Sequence, residues 1–300
     1  MTLPVGEISL SQVNTELALP ATQVIGMNDA AVRTLAGVGG SGTVISMANL
    51  QGKSGSRVVI SLAIIANVQN YDIYTNRGGT YQPGTSDITL TVSPGVFVGS
   101  TSTSTYALSA PNQFSPGDTV RIVNNGTILG AGGNGAATLP SSNIGPGQAG
   151  SAGGNALLVQ RAVTVQNAGV IAGAGGGGGS GATGSVFSPR PGRQGGPFTS
   201  AYMGGTGGGG AGYNAGAAGV DGTAVNPPRT FTAGASQAGT LTTGGNGGTA
   251  TAPGQAGGAG GGRGATGVTT SGSGGAAGYY VVGNANVTWQ APGTQQGSVA

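Results

Sequence analysis

Runs of glycine limit what this chain can fold into more than any other feature. Of 67 glycines among 300 residues, 39 fall between Gly173 and Gly278 and only 15 in residues 1–129. Glycine gives no side chain to a core and loses the most backbone freedom on folding. A folded region built from it must be held by backbone hydrogen bonds, with the few larger residues displayed on turns between glycine runs. The strict Gly-X-Y frame of collagen is absent, because Gly204-Gly205-Thr206-Gly207-Gly208-Gly209-Gly210 breaks it. Extended helices with three residues per turn, near polyproline II geometry, make no internal hydrogen bonds. Packed side by side without Cβ atoms, they can bond each N–H and C=O to a neighbour, as buried backbone groups require. Residues 130–278 are therefore expected to form packed glycine helices and not a flexible Gly/Ser linker. The stretch is long, contains Val, Phe and Tyr, and is bracketed by strand-like segments.

Composition narrows the chemistry. Cysteine and histidine are both absent. That removes thiolate nucleophiles, disulfides, the commonest general base and the commonest metal ligands. No phosphate-binding loop occurs, since the one lysine, Lys53, lacks the upstream glycine pattern. A cofactor is not expected. Of the seven carboxylates, Asp72 and Asp87 are the pair that could serve a glycosidase, which needs two; the reading is nonetheless not an enzyme. Residues 1–129 carry net charge −1 and residues 130–300 net +4. The arginines of the second part (Arg161, Arg190, Arg193, Arg229, Arg263) are scattered, whereas a nucleic-acid protein clusters them. A mildly basic face meeting an anionic cell surface fits better. No segment has the ~20 apolar residues a membrane span needs, and the N-terminus has no secretory signal pattern. Synthesis in the cytosol is expected.

Three regions follow along the chain. Residues 1–55 hold the helical signals. Asn28-Asp29 reads as the N-cap of a helix over Ala30–Ala36, stopped by Gly37. Ser46 reads as the cap of a short helix over Met47–Leu50. Residues 56–129 read as short strands separated by Gly and Pro turns, a small antiparallel sandwich or prism. Residues 130–300 are the glycine-rich part. An internal repeat links the last two: Val120–Gly133 resembles Val163–Gly176, with a looser third copy at Tyr280–Trp289. Each copy reads as a hairpin with an Asn-centred turn, Asn and Gly supplying positive φ and side-chain-to-backbone bonds.

Met27-Asn28-Asp29-Ala30-Ala31-Val32-Arg33-Thr34-Leu35-Ala36-Gly37 and Ile45-Ser46-Met47-Ala48-Asn49-Leu50-Gln51-Gly52-Lys53 resemble an N-terminal motif of many tailed-phage tail proteins. Ser86–Val92 and Gly99–Leu108 resemble the segments that follow it there. Val123-Asn124-Asn125-Gly126-Thr127-Ile128-Leu129-Gly130 leads into glycine tracts, as in phage tail-tip and tail-fibre adhesins. The tracts also look like the distal adhesins of T-even-type long tail fibres. The resemblance implies a mainly β fold with a polyglycine II helix sandwich and a small helical N-terminal attachment segment. It implies a virion protein of the tail tip or distal fibre that recognises a host outer-membrane protein or lipopolysaccharide. Other tail or fibre proteins are expected partners, with a homotrimer open. A structural tail-tip or baseplate component without receptor contact is the alternative.

On a glycine scaffold the non-glycine inserts become display loops. The first, Ser185–Met203, holds Phe187, Arg190, Arg193, Phe198 and Tyr202. The second, Tyr213–Phe231, holds Tyr213, Asp221, Arg229 and Phe231. A third, Ser236–Pro253, is small and polar. Aromatic residues and arginine most often anchor interfaces, and proline stiffens such loops. The nine named residues are the candidate receptor-binding set. Tyr279, Tyr280 and Trp289 read as core, and Ser100–Thr105 as an exposed strand or turn.

Overall fold

The computed structural model describes residues 3–17, 19–38, 43–53, 55, 57–138, 145–188, 198–220, 223–226, 229–232, 234–250 and 254–300. Over 185–188, 198–201, 223–226 and 229–232 it describes the backbone alone. Most of the regular structure is β. From residue 58 the chain winds in five coils, each laying one strand on each of three sheets. The first coil is β1 (Val58–Ile64), β2 (Val68–Gln69) and β3 (Tyr71–Asp72); the second is β4 (Ser86–Val92), β5 (Phe97–Gly99) and β6 (Leu108–Ala110). The third is β7 (Thr119–Asn124), β8 (Thr127–Leu129) and, after a glycine excursion, β9 (Leu157–Val159). The fourth begins with β10 (Val163–Asn167) and β11 (Val170–Ala172). A longer excursion carries two hairpins, β12 (Gly184–Ser188) with β13 (Phe198–Tyr202) and β14 (Thr223–Asn226) with β15 (Arg229–Thr232). The coil then closes with β16 (Tyr279–Val282), and the fifth is β17 (Val287–Ala291), β18 (Thr294–Gln296) and β19 (Ser298–Val299).

The sheets run β1-β4-β7-β10-β17, β2-β5-β8-β11-β18 and β3-β6-β9-β16-β19, and every pair within them is parallel. This is a three-sided parallel solenoid, not the expected antiparallel sandwich or prism. The strands form where β-branched residues alternate with polar ones, which a pleated half-buried surface favours. Stacking then puts like on like: Leu62, Leu90, Ile122, Val165 and Trp289 occupy successive rungs of one column. Ile88, Leu90, Val98, Leu108, Ile122, Ile128, Leu157, Val165 and Ile171 are almost fully buried in a single core. The sheets cross the expected boundary at residue 130, because β9, β10, β11 and β16 to β19 complete them.

The internal repeat is one coil stacked on the next. Ile122 pairs with Val165, Asn124 with Asn167 and Ile128 with Ile171. The copies are not hairpins. The expected third copy at Tyr280–Trp289 is out of step: the stacked equivalent starts at Val287, which pairs with Val163. The asparagines turn the corner through their side chains. Asn124 Nδ2 donates to Asn167 Oδ1 at 2.8 Å and to Val170 O at 3.2 Å, and Asn167 Nδ2 donates to Pro292 O at 2.7 Å. Their φ is not positive; among the described non-glycine residues Asn70 alone has that geometry, at φ 49°. At the fifth coil Trp289 packs against the core beside Tyr280, with Nε1 bonded to Asn284 Oδ1 at 3.0 Å. Tyr279, read as core, is 39% exposed.

The glycine excursions bond in a three-residue rhythm. In segment 173–183 the N–H groups of 174, 177 and 180 reach Gly154, Ser151 and Gln148. Those of 175, 178 and 181 reach Ala211, Gly208 and Gly205, and those of 176 and 179 reach Ala265 and Val268. This central segment therefore serves three neighbours in rotation, while 130–138, nearer the edge, donates to two. A Cβ on Gly175, Gly177, Gly178, Gly208, Gly258 or Gly261 would come within about 2 Å of a neighbouring carbonyl oxygen, far inside any van der Waals contact.

Residues 3–53 form a small separate core from Leu3, Val13, Val32, Leu35, Ala36 and Leu50. Helix α1 (Leu10–Glu16) starts at a capping box of Ser9 and Gln12, and α2 (Ala30–Ala36) ends at Gly37 with φ 70°. Asp29 sits at the N-cap of α2, but its carboxylate accepts from Gly26 N at 2.8 Å. Met47–Leu50 is a 3-10 turn. Among the described residues no helix is long and apolar enough to cross a membrane.

Gly178→Ala is expected to cost about 2–3 kcal/mol or more, because the Cβ would lie 2.0 Å from Gly258 O. Gly262→Ala, whose Cβ would meet nothing nearer than Thr242 O at 3.6 Å, is expected to stay within about 0.5 kcal/mol. Thermal unfolding of both variants checks the pair. A pH scan tests the first corner. Arg57 Nε donates to Asp87 at 2.6 Å and Thr119 bonds the same carboxylate. The Arg57 guanidinium holds the Asp87 carboxyl below its ordinary value. The unfolded state thus takes up the proton first. The contribution is present above the unfolded carboxylate range, about pH 4, and fades as pH falls through the lower native value. The half-exposed pair is worth about 0.5 kcal/mol, and Asp87→Asn should remove that share of the acid slope in chemical denaturation.

Candidate functional site

The glycine block has two ends. At the near end, segments leave or rejoin the solenoid at Gly130, Gly173, Ala156 and Tyr279, and three turns come back to it. One is at Tyr213 and Asn214, one at Leu241–Thr243, and one at Arg263 and Gly264. Arg263 Nε donates to Leu241 O at 2.7 Å, and burial pushes this guanidinium below its ordinary range. The far end is marked by Gly145 and Thr183, which bond each other, by Thr138 N to Val220 O at 3.4 Å and by Gly234 N to Thr249 O at 2.8 Å. Gly181 N also reaches Gly205 O there at 2.8 Å.

Both hairpins stand at the far end. The β12–β13 hairpin leaves after Thr183 and returns at the fully buried Met203, and the β14–β15 hairpin leaves after Val220 and returns at Gly234. β13 and β14 lie beside each other. Phe187 is on β12, opposite Thr199; Phe198 and Tyr202 are on β13, opposite Ser188 and Gly184. Arg229 and Phe231 are on β15, opposite Asn226 and Ala224. The Tyr202 ring lies over Gly184, where a Cβ would be 2.1 Å from its hydroxyl oxygen. The structure thus brings Phe187, Phe198, Tyr202, Arg229 and Phe231 to one end. Arg190, Arg193 and Asp221 lie outside the described residues.

Tyr213 is not with them. It occupies the near end, its ring over Gly99, where a Cβ would lie 2.0 Å from Cγ, and 6.5 Å from the Phe97 ring. Asn214 Nδ2 beside it donates to Ser100 O at 3.2 Å and Thr101 O at 3.0 Å. These contacts clamp the block to the solenoid. Ser100–Thr105 is a turn closed on itself: the buried Ser100 hydroxyl is bonded to Ser102 O at 2.6 Å and to Thr105 O at 2.9 Å. The third expected loop is largely not a loop, since 234–240 and 244–250 run inside the block and turn at its near end. Gly99 and Asn214 carry no sequence signal that separates them from the many Gly and Asn in turns. A far-end turn about Ser271, where Thr270 N bonds Gly272 O at 3.0 Å, carries no sequence signal either, being made of the same small residues as the segments it joins.

Asp72 and Asp87, the carboxylates a glycosidase would have to pair, stand on different sheets. Asp72, on β3, accepts from Ser109 Oγ at 2.6 Å and from Thr75 N at 2.7 Å. Asp87, on another sheet, is held by Arg57.

The fold is thus a parallel solenoid that carries a glycine block with two hairpins gathered at the far end. The model of the family described as phage tail fibre adhesin Gp38 matches residues 57–300. The chain belongs to that family and is a phage tail adhesin, a component of the virion's tail tip or fibre. A solved structure, the gp37-gp38 adhesin tip complex of the bacteriophage S16 long tail fiber, matches with a TM-score of 0.45 at 18% identity. The match covers 99% of this chain and 94% of that one. No curated protein matches.

Tyr213→Ala is expected to lower stability by about 2–3 kcal/mol through lost ring packing. The prediction is checked by thermal unfolding, and phage adsorption measured below the new midpoint should stay within twofold of the parent.

Proposed function

We propose that this adhesin recognises a host outer-membrane protein or lipopolysaccharide through the far-end turns, and that the glycine block is a polyglycine II sandwich that holds them. One observation carries the reading: both hairpins leave and re-enter the block at the end away from the solenoid. Phe187, Phe198, Tyr202, Arg229 and Phe231 sit there, with the segments bearing Arg190, Arg193 and Asp221 joined to the same hairpins. Aromatic and arginine side chains supply most binding energy per residue at interfaces. The three-residue bonding rhythm supports the polyglycine II assignment, since that helix has three residues per turn and no internal bonds. In this reading the tip does no chemistry and needs no cofactor. Residues 1–55, which precede the family match, and the solenoid join the adhesin to other tail or fibre proteins. In phage S16 the long tail fiber carries a gp37-gp38 adhesin tip complex. Several copies on one virion, whether as a trimer or as single caps on several fibres, would add avidity.

Competition tests the proposal. Purified protein added to susceptible cells is expected to block phage adsorption. A variant with 185–201 and 223–232 replaced by Gly/Ser, checked for an intact solenoid by circular dichroism, is expected to lose at least tenfold in blocking potency. Equal blocking by both proteins moves the site elsewhere; no blocking by either, with both folded, favours a structural tail component.

A further inference from the structure

The glycine segments nearest the solenoid keep the alignment of its strands. On the second sheet β8 and β11 pair Ile128 with Ile171 and Leu129 with Ala172. The same offset continues beyond them in the bonds Gly130 N to Ala172 O, Gly133 N to Gly175 O and Ala136 N to Gly178 O, at 3.2, 2.9 and 2.9 Å. On the third sheet β9 and β16 pair Leu157 with Val281. That offset runs back through Ala156 N to Tyr279 O, Gly153 N to Ala276 O and Gly150 N to Ser273 O, at 3.0, 2.9 and 2.9 Å. Segments 130–138 and 173–183, and 145–155 and 273–278, are strands of the sheets continued in glycine.

Glycine does not choose such an alignment by itself. A slip by three residues presents an equivalent set of N–H and C=O groups, since the bonding repeats every third residue. In a strand the same slip turns each inward side chain outward, because side chains alternate with period two. A slip by two keeps the strand faces but breaks the three-residue rhythm. The two periods agree again only after six, and β8 and β11 are three residues long, so that slip unpairs them. The rise per residue is close in the two conformations, about 3.3 and about 3.1 Å, so an alignment set in the strands carries outward. Just before β8 and β11, the Asn124–Asn167 bond of 2.8 Å, between two buried side chains, ties the third coil to the fourth.

We propose that the third and fourth coils are the alignment template of the glycine block. The sheets form first, and the four attached segments zip outward from Gly130, Gly173, Ala156 and Tyr279. The remaining segments then dock on that frame. The inference rests on these bonds and is independent of what the far end binds.

Native-state hydrogen exchange of the full-length protein, followed by mass spectrometry, tests the asymmetry. Gly208→Ala puts a Cβ 2.0 Å from Gly245 O. It is expected to speed exchange at least tenfold in peptides covering 173–183 and 203–212, and to leave peptides covering β7 and β10 within twofold. Ile128→Val, or Ile128→Ala where valine leaves the sheets unchanged, is expected to speed exchange in the sheets and in 173–183 by similar factors. The template is overturned if 173–183 keeps its protection while β8 and β11 lose theirs, or if Gly208→Ala opens the sheets as much as the block. Pulse labelling of the parent protein during refolding gives a check free of variants. β7 and β10 are expected to gain protection before 173–183, and the reverse order overturns the proposal.

Discussion

Backbone approaching backbone without an intervening Cβ is the contact on which this structure depends. In segment 173–183 the N–H groups of residues 174–181 are all spent on neighbouring segments. A single such bond adds only about 1 kcal/mol net, and ordering a glycine costs more than ordering any other residue. The block holds because such bonds recur along all its segments, on three sides of the central one, and because no side chain keeps the segments apart. Larger buried residues such as Met203, Thr206 and Thr183 sit among these segments without breaking up the block.

The solenoid holds together by opposite means. Its strands bury Leu, Ile and Val in columns, at ~25 cal/mol per Å² of apolar surface removed from water. The two kinds of cohesion meet along the second and third sheets, where strand turns into glycine segment with no loop between. Tyr213 and Asn214 add a clamp of a third kind, an aromatic ring seated on Gly99 and an amide reaching two carbonyls. Tyr202 at the far end makes a similar contact, its ring over Gly184, so the two tyrosines differ in the end of the block they occupy and look alike in the sequence.

Much of the local structure was legible in the sequence. Asp29, the run to Ala36 and Gly37 mark α2 correctly, and the glycine runs announce that their partners must be other backbone. The repeat of Val120–Gly133 at Val163–Gly176 is visible too, but its meaning was not. Short β-branched runs broken by Asn-Gly fit a hairpin locally, and only a stack of coils makes the pairing parallel. The coil that pairs Ala172 with Gln296 closes through Tyr279, with the whole long excursion between β11 and β16; no local pattern reports a connection of that span. Phe187, Phe198, Tyr202, Arg229 and Phe231 stand out in the sequence because large residues between glycine runs have few places to go, and all five lie on the two hairpins. Capping at α1 was missed because Ser9 and Gln12, the box itself, precede a weakly apolar stretch.

The junction between strands and glycine has a mechanical side. The chain crosses from solenoid to block four times, at Leu129–Gly130, Asn155–Ala156, Ala172–Gly173 and Gly278–Tyr279. A pull on the far hairpins is therefore divided among four covalent crossings that run side by side, instead of passing through one linker. The bonds between neighbouring segments lie across the line of pull, so they are sheared together and not unzipped one by one. An adhesin tip built this way resists tension through the geometry of its connections, without a disulfide anywhere in the chain.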